Sequence, residues 1–189
     1  MKLQKPAVII LGTLASLTIA LLVGQSFEPK IAISPQPQIK EAKSPQALPS
    51  SREPSVGRAS VIDGDTIEIK GQRIRLNAMD APESSQTCEV DNKPYRCGQK
   101  AALALSDLLG ARDVRCERTG SDRYRRTLAR CFLGDLDVGR WMVENGWAIA
   151  YRKYSREYVS VEERAQQKKL GIWAGTFMNP DEWRAHRKE

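Results

Sequence analysis

Val61-Ile62-Asp63-Gly64-Asp65-Thr66-Ile67-Glu68-Ile69-Lys70-Gly71-Gln72-Arg73-Ile74-Arg75-Leu76-Asn77-Ala78-Met79-Asp80-Ala81-Pro82-Glu83 is the stretch that decides the fold. Asp63-Gly64-Asp65 is a turn signal, because aspartate bonds its own backbone and glycine tolerates the bend. Arg58–Ile62 and Thr66–Ile69 flank it as short strands, and Lys70-Gly71-Gln72 makes a second turn. Arg73–Ala78 then alternates: Ile74, Leu76 and Ala78 share one face, while Arg73, Arg75 and Asn77 share the other. Arg75 therefore points away from the apolar face of its own strand. Ala81-Pro82 ends the strand.

Further along, a loop carries Cys88 and Cys97. Ala101, Ala102, Leu105, Leu108 and Leu109 form the stripe of a helix over 98–109, stopped by Gly110. Val114–Glu117 and Thr127–Leu133 read as hairpin arms. Val138–Asn145 is expected as a short helix with Gly146 as its stop, and Trp147–Tyr151 as a last strand segment. Tyr158–Leu170 is expected as a third, heavily charged helix. Strands clustered early, with helices between and after them, indicate an α+β domain built on a small closed barrel.

Outward from this domain the composition changes. Lys2 and Lys5 precede an uncharged, mostly apolar run over residues 7–24. The run is long enough for a short membrane helix and longer than a usual signal h-region, and no clear A-x-A site ends it. An uncleaved signal-anchor over 1–24 is favoured over a cleaved signal peptide. The lysines would stay in the cytoplasm and everything after the run would cross. The chain is thus expected to be membrane-anchored facing the periplasm or extracellular side, or secreted if the segment is cleaved. Residues 25–55 hold Pro29, Pro35, Pro37, Pro45, Pro49 and Pro54 among polar residues. They bury too little apolar surface to offset ordering entropy, so a disordered tether is expected, with the folded domain over 56–189.

The chain carries a formal net charge of +7, which favours polyanionic partners. Within 56–189 there are 24 Lys and Arg against 20 Asp and Glu, so the basicity must be local to act. Four cysteines in an exported segment suggest two bridges, with three connectivities open. The local pairs Cys88–Cys97 and Cys116–Cys131 are favoured. Val114 and Cys116 share a strand face, as do Ala129 and Cys131, so the second pair can meet across its hairpin. A zinc site is disfavoured, because there is no C-x-x-C spacing and His186 is the one histidine.

The chemistry follows from residue type. Asp65 begins one strand and Asp80 ends another, so neighbouring strands would bring both carboxylates to one ion. Two aspartates, a backbone carbonyl and waters suit Ca2+ better than zinc. Arg75 and Arg126 are candidates for the phosphate, since the guanidinium fork meets two oxygens at once and stays charged. Glu83 is placed to orient or deprotonate a water. A single histidine in a charged tail disfavours two-histidine, HNH, HKD and Ser/His/Asp chemistries.

These pieces together resemble the signature of the staphylococcal nuclease (thermonuclease-like) family. The resemblance lies in Val61–Ile67, in Ile74-Arg75-Leu76 with Asp80-Ala81-Pro82-Glu83, in Asp122-Arg123-Tyr124-Arg125-Arg126-Thr127-Leu128-Ala129, and in Leu170-Gly171-Ile172-Trp173. It runs from about Val56 to Trp173. It implies a five-stranded OB-type barrel with three α-helices. It implies Ca2+ held by Asp65, Asp80 and the Ala81 carbonyl, with Arg75 and Arg126 on the scissile phosphate. Glu83 would act on the water, as general base or as positioner. The implied reaction cleaves DNA and RNA phosphodiesters at the 5′-oxygen, leaving 3′-phosphates. Apart from the resemblance, the protein is expected to be a monomer. The alternative is the same barrel binding single strands without cutting them. Arg125 departs from the pattern, which has glycine there; a positive φ at that position would strain an arginine.

Overall fold

The computed structural model describes residues 53–187. The apolar run 7–24 and nearly all of the expected tether lie outside the described residues. Elements follow in the order β1 (Ser55–Val61), β2 (Thr66–Ile69), β3 (Gln72–Leu76), β4 (Met79–Asp80), β5 (Cys88–Val90), β6 (Lys93–Tyr95) and α1 (Cys97–Leu109). Then come β7 (Asp113–Ser121), β8 (Thr127–Leu133), β9 (Leu136–Asp137), α2 (Val138–Glu144), β10 (Ile149–Ala150), α3 (Val159–Gln167), a 3-10 turn at Gly171–Ala174, and α4 (Pro180–His186).

Five of these strands close into an OB-type barrel. Their order is β3-β2-β1-β7-β8, and a parallel β3–β8 seam joins the ends. Closure removes the edges that an open sheet would expose. The alternation that marks the strands also fills the barrel: Ile67, Ile69, Ile74 and Leu76 are all buried, as are Val114, Ala129 and Cys131. Leu105 and Leu109 of α1, with Met142 and Val143 of α2, belong to the same core.

Both local disulfides are present. Cys116 faces Cys131 in the β7–β8 ladder, as side-chain parity requires, and Cys88 bonds Cys97. The second bridge ties the start of the β5–β6 hairpin to the start of α1.

The three expected helices stand within a few residues of their expected limits, and a fourth joins them. The tail that reads as merely charged forms α4, with Pro180 in its first turn and Asp181 and Glu182 behind it. These are ordinary helix-start signals. β7 is also longer than its apolar alternation suggests. Beyond Cys116 its residues are mostly exposed, and its pairing shifts between Arg118 and Gly120, so no alternation marks the extension. Among the described residues no helix is long and apolar enough to cross a membrane.

Candidate active site

The β2–β3 hairpin pairs Thr66 with Arg75, so Asp65, one residue earlier, stands at the same end of the barrel as the Arg75 side chain. The Leu76 amide donates to the Asp65 carbonyl at 2.8 Å and fixes that end. Just beyond β3 the chain turns into β4, which pairs with β10 by setting Asp80 opposite Ile149. Buried Glu162 on α3 in turn accepts the Ala150 amide at 2.9 Å. Asp80 is therefore positioned from both sides, by the barrel and by the helices.

Arg75 bridges the two aspartates. Its Nη1 lies 2.6 Å from Asp65 Oδ1 and its Nη2 lies 2.6 Å from Asp80 Oδ1. Thr66 Oγ1 also donates to Asp65 Oδ1, at 2.9 Å. Both carboxylates are buried. Burial pushes the Asp65 carboxyl up to about 7 against the pull of Arg75, and the charges of Asp63 and Asp80 add to the rise. Burial works against the Arg75 charge, but Asp65 and Asp80 outweigh it and hold its pKa above the ordinary value.

Glycines allow the loops to close on this cluster. A Cβ at Gly64 would stand 2.7 Å from Ala81 Cβ, so only glycine lets the Asp63–Asp65 turn press on Ala81. A Cβ at Gly98 would stand 1.7 Å from the Glu83 carbonyl oxygen. The start of α1 thus sets the Glu83 loop. Gln86, fully buried, completes the support: its Oε1 accepts the Glu83 amide at 3.1 Å, and its Nε2 donates to the Met178 carbonyl at 2.6 Å.

Asp65, Arg75, Ala81, Glu83 and Arg126 all line one cleft of about 1390 Å³. The parallel seam accounts for Arg126. It pairs Ile74 with Thr127, the residue after Arg126. Arg126 contacts none of Asp65, Asp80 and Glu83; its Nε donates to Asp122 Oδ2 at 2.7 Å, and its amide to Asp122 Oδ1 at 2.8 Å. Partial burial raises the Asp122 pKa, but the hydrogen bonds from Arg126 and Tyr124 outweigh it and hold the carboxyl below its usual range. Arg125 has φ of 62°, the left-handed conformation that glycine adopts without strain.

One site residue escaped the sequence reading. Arg184 of α4 donates through Nη2 to Asp80 Oδ2 at 2.7 Å, and through Nη1 to Asp80 Oδ1 at 3.0 Å and Glu83 Oε1 at 2.7 Å. The helix-start signals at Pro180–Glu182 would have revealed the helix, but nothing in the sequence reveals its docking.

The donors suit a hard divalent cation. Asp65, Asp80 and the Ala81 carbonyl are all oxygen, with no thiol or imidazole among them. Three carboxylates, Asp65, Asp80 and Glu83, share two guanidinium groups, Arg75 and Arg184, which leaves the cluster short of positive charge. Among the described residues no three His, Cys, Asp or Glu side chains gather into a cage of their own. An ion here would complete its shell with water and phosphate.

A model of the staphylococcal nuclease homologue family matches residues 73–175. "Succinoglycan biosynthesis protein ExoI" of Rhizobium meliloti is 46% identical over 125 residues, which cover 64% of this chain and 65% of that protein. An "Uncharacterized endonuclease" of Haemophilus influenzae is 37% identical over 147 residues, covering 73% of this chain and 78% of its own. A "Micrococcal nuclease" of Shigella flexneri is 30% identical over 146 residues, covering 68% and 79%.

Proposed function

Because the chain belongs to the staphylococcal nuclease homologue family, we propose that it is a calcium-dependent nuclease that hydrolyses phosphodiesters of DNA and RNA to 3′-phosphates. The relatives named as endonuclease and micrococcal nuclease support a nuclease. The observation that carries the reading is the Arg75 bridge between Asp65 and Asp80, on the wall of a cleft that also holds Glu83 and Arg126.

Asp65, Asp80 and the Ala81 carbonyl would hold the ion. When bound, calcium supplies positive charge against a phosphate oxygen. Arg75 and Arg126 grip the non-bridging oxygens, whose charge grows as water attacks. Glu83 orients the water and takes its proton as the new P–O bond forms. The P–O5′ bond breaks, the 5′-oxygen takes up a proton, and the phosphate stays on the 3′ side. Contacts of this kind are to phosphate and carry no base preference.

The apolar run 7–24 would anchor the chain, with the domain outside the cytoplasm. Two disulfides support an oxidising compartment.

The test is the full chain incubated with plasmid DNA or RNA, in calcium, magnesium or chelator. Product with calcium and none with chelator is expected. Full cutting in chelator would overturn the calcium requirement. Retained substrate with no product would leave a binding module instead.

A further inference from the structure

Asp80 uses both of its oxygens on arginines. Oδ1 accepts from Arg75 and Arg184, and Oδ2 accepts from Arg184. Arg184 thereby forms a two-pronged pair with the carboxylate proposed to hold calcium, and Nη1 also reaches Glu83. This guanidinium is not a loose surface charge. Its helix is held through the Gln86 bond to the Met178 carbonyl and through a bond from Arg187 to Ser85. Asp80 is fully buried while Arg184 is 32% exposed, so solvent screens the pair only from the arginine side.

Resting on the calcium reading of this cleft, we propose that Arg184 is a tethered counter-cation that sets the site's metal affinity. A divalent ion coordinates carboxylate oxygens at about 2.3–2.6 Å. It would crowd Arg184 at the Asp80 oxygens, and it brings like charge beside the guanidinium. Calcium and the Arg184–Asp80 pair therefore compete at one carboxylate. Arg75 differs, because it spans both aspartates from a barrel strand, whereas Arg184 arrives on a helix outside the barrel. Coupling is reciprocal: if docking of α4 weakens calcium binding, calcium weakens docking of α4 by the same factor.

Two measurements on the full chain test this. Calcium titrations by calorimetry compare the parent with Arg184→Gln and Arg184→Lys. The glutamine variant is expected to bind calcium at least about tenfold more tightly, and the lysine variant, which keeps the charge but loses the two-pronged pair, to fall between it and the parent. Hydrogen exchange of the parent is expected to speed up over residues 180–187 when calcium is added. Equal or weaker calcium binding by Arg184→Gln would overturn the proposal, as would unchanged exchange in a calcium-loaded parent. Should neither parent nor variant bind at millimolar calcium, the calcium reading itself falls, and this proposal with it. That outcome is distinct from two proteins that bind alike.

Discussion

Ile74 faces Thr127 across the parallel seam that closes the barrel. That pairing sets Arg126, the residue before Thr127, at the end of the barrel where Arg75 meets Asp65 and Asp80. Two arginines from distant parts of the chain thus line one cleft. Closure of the barrel and assembly of the two arginines proposed to grip phosphate are the same structural event.

Glu83 is half-buried and bonded to Arg184, and it makes no core contact that its charge must sustain. Glu83→Gln is expected to lower kcat on plasmid DNA by roughly 10²–10⁴. Its effect on stability should stay under about 1 kcal/mol. An unchanged kcat would remove Glu83 from the reaction.

Gly98 is the contact that seats the Glu83 loop. Gly98→Ala drives a Cβ into a backbone carbonyl, which has no rotamer with which to yield. A cost of about 1–3 kcal/mol is expected from the urea midpoint. A fall of roughly 10² in kcat should accompany it, as Glu83 is displaced by about an ångström. A variant with parental stability and rate would show that the glycine does not position the loop.

Arg125 holds a φ of 62° while its side chain is exposed, so it carries strain with little packing to offset it. Arg125→Gly is expected to stabilise the protein by up to about 1 kcal/mol and to keep activity, because Arg126 remains tied to Asp122. Destabilisation in chemical denaturation would contradict the strain.

Asp122 titrates below its usual value in the folded protein, so the unfolded chain binds more protons in the acid range. Its contribution is complete above the unfolded pKa and is lost as pH falls through the folded one. Asp122→Asn should cost about 1–2 kcal/mol at neutral pH, and the gap from the parent should close once acid takes the pH below the folded Asp122 pKa. Denaturation midpoints at both pH values check this. A gap that does not change with pH would refute it.

Much of this protein is legible one residue at a time. The Asp-Gly turn, the Ile74/Leu76 alternation and the helix stops mark the elements, because they depend on local backbone preference and on which face meets the core. The parity of Cys116 and Cys131 anticipates their bond for the same reason. Asp65, Asp80, Arg75 and Glu83 were nameable from residue chemistry and family pattern; the β2–β3 register then brings Asp65 to Arg75, and the β4–β10 pairing adds Asp80. The two-residue strand β4 left no periodic signal of its own, whereas β10 falls within the strand segment expected over Trp147–Tyr151. Arg184 was beyond the reach of sequence. Its role comes from the docking of α4 on a loop about a hundred residues earlier, through a buried glutamine whose partners lie on two separate segments. Local chemistry writes the donors and acceptors into the chain. Only long-range packing, in which desolvated charges find whichever partner the fold brings near, decides that a third arginine competes for Asp80.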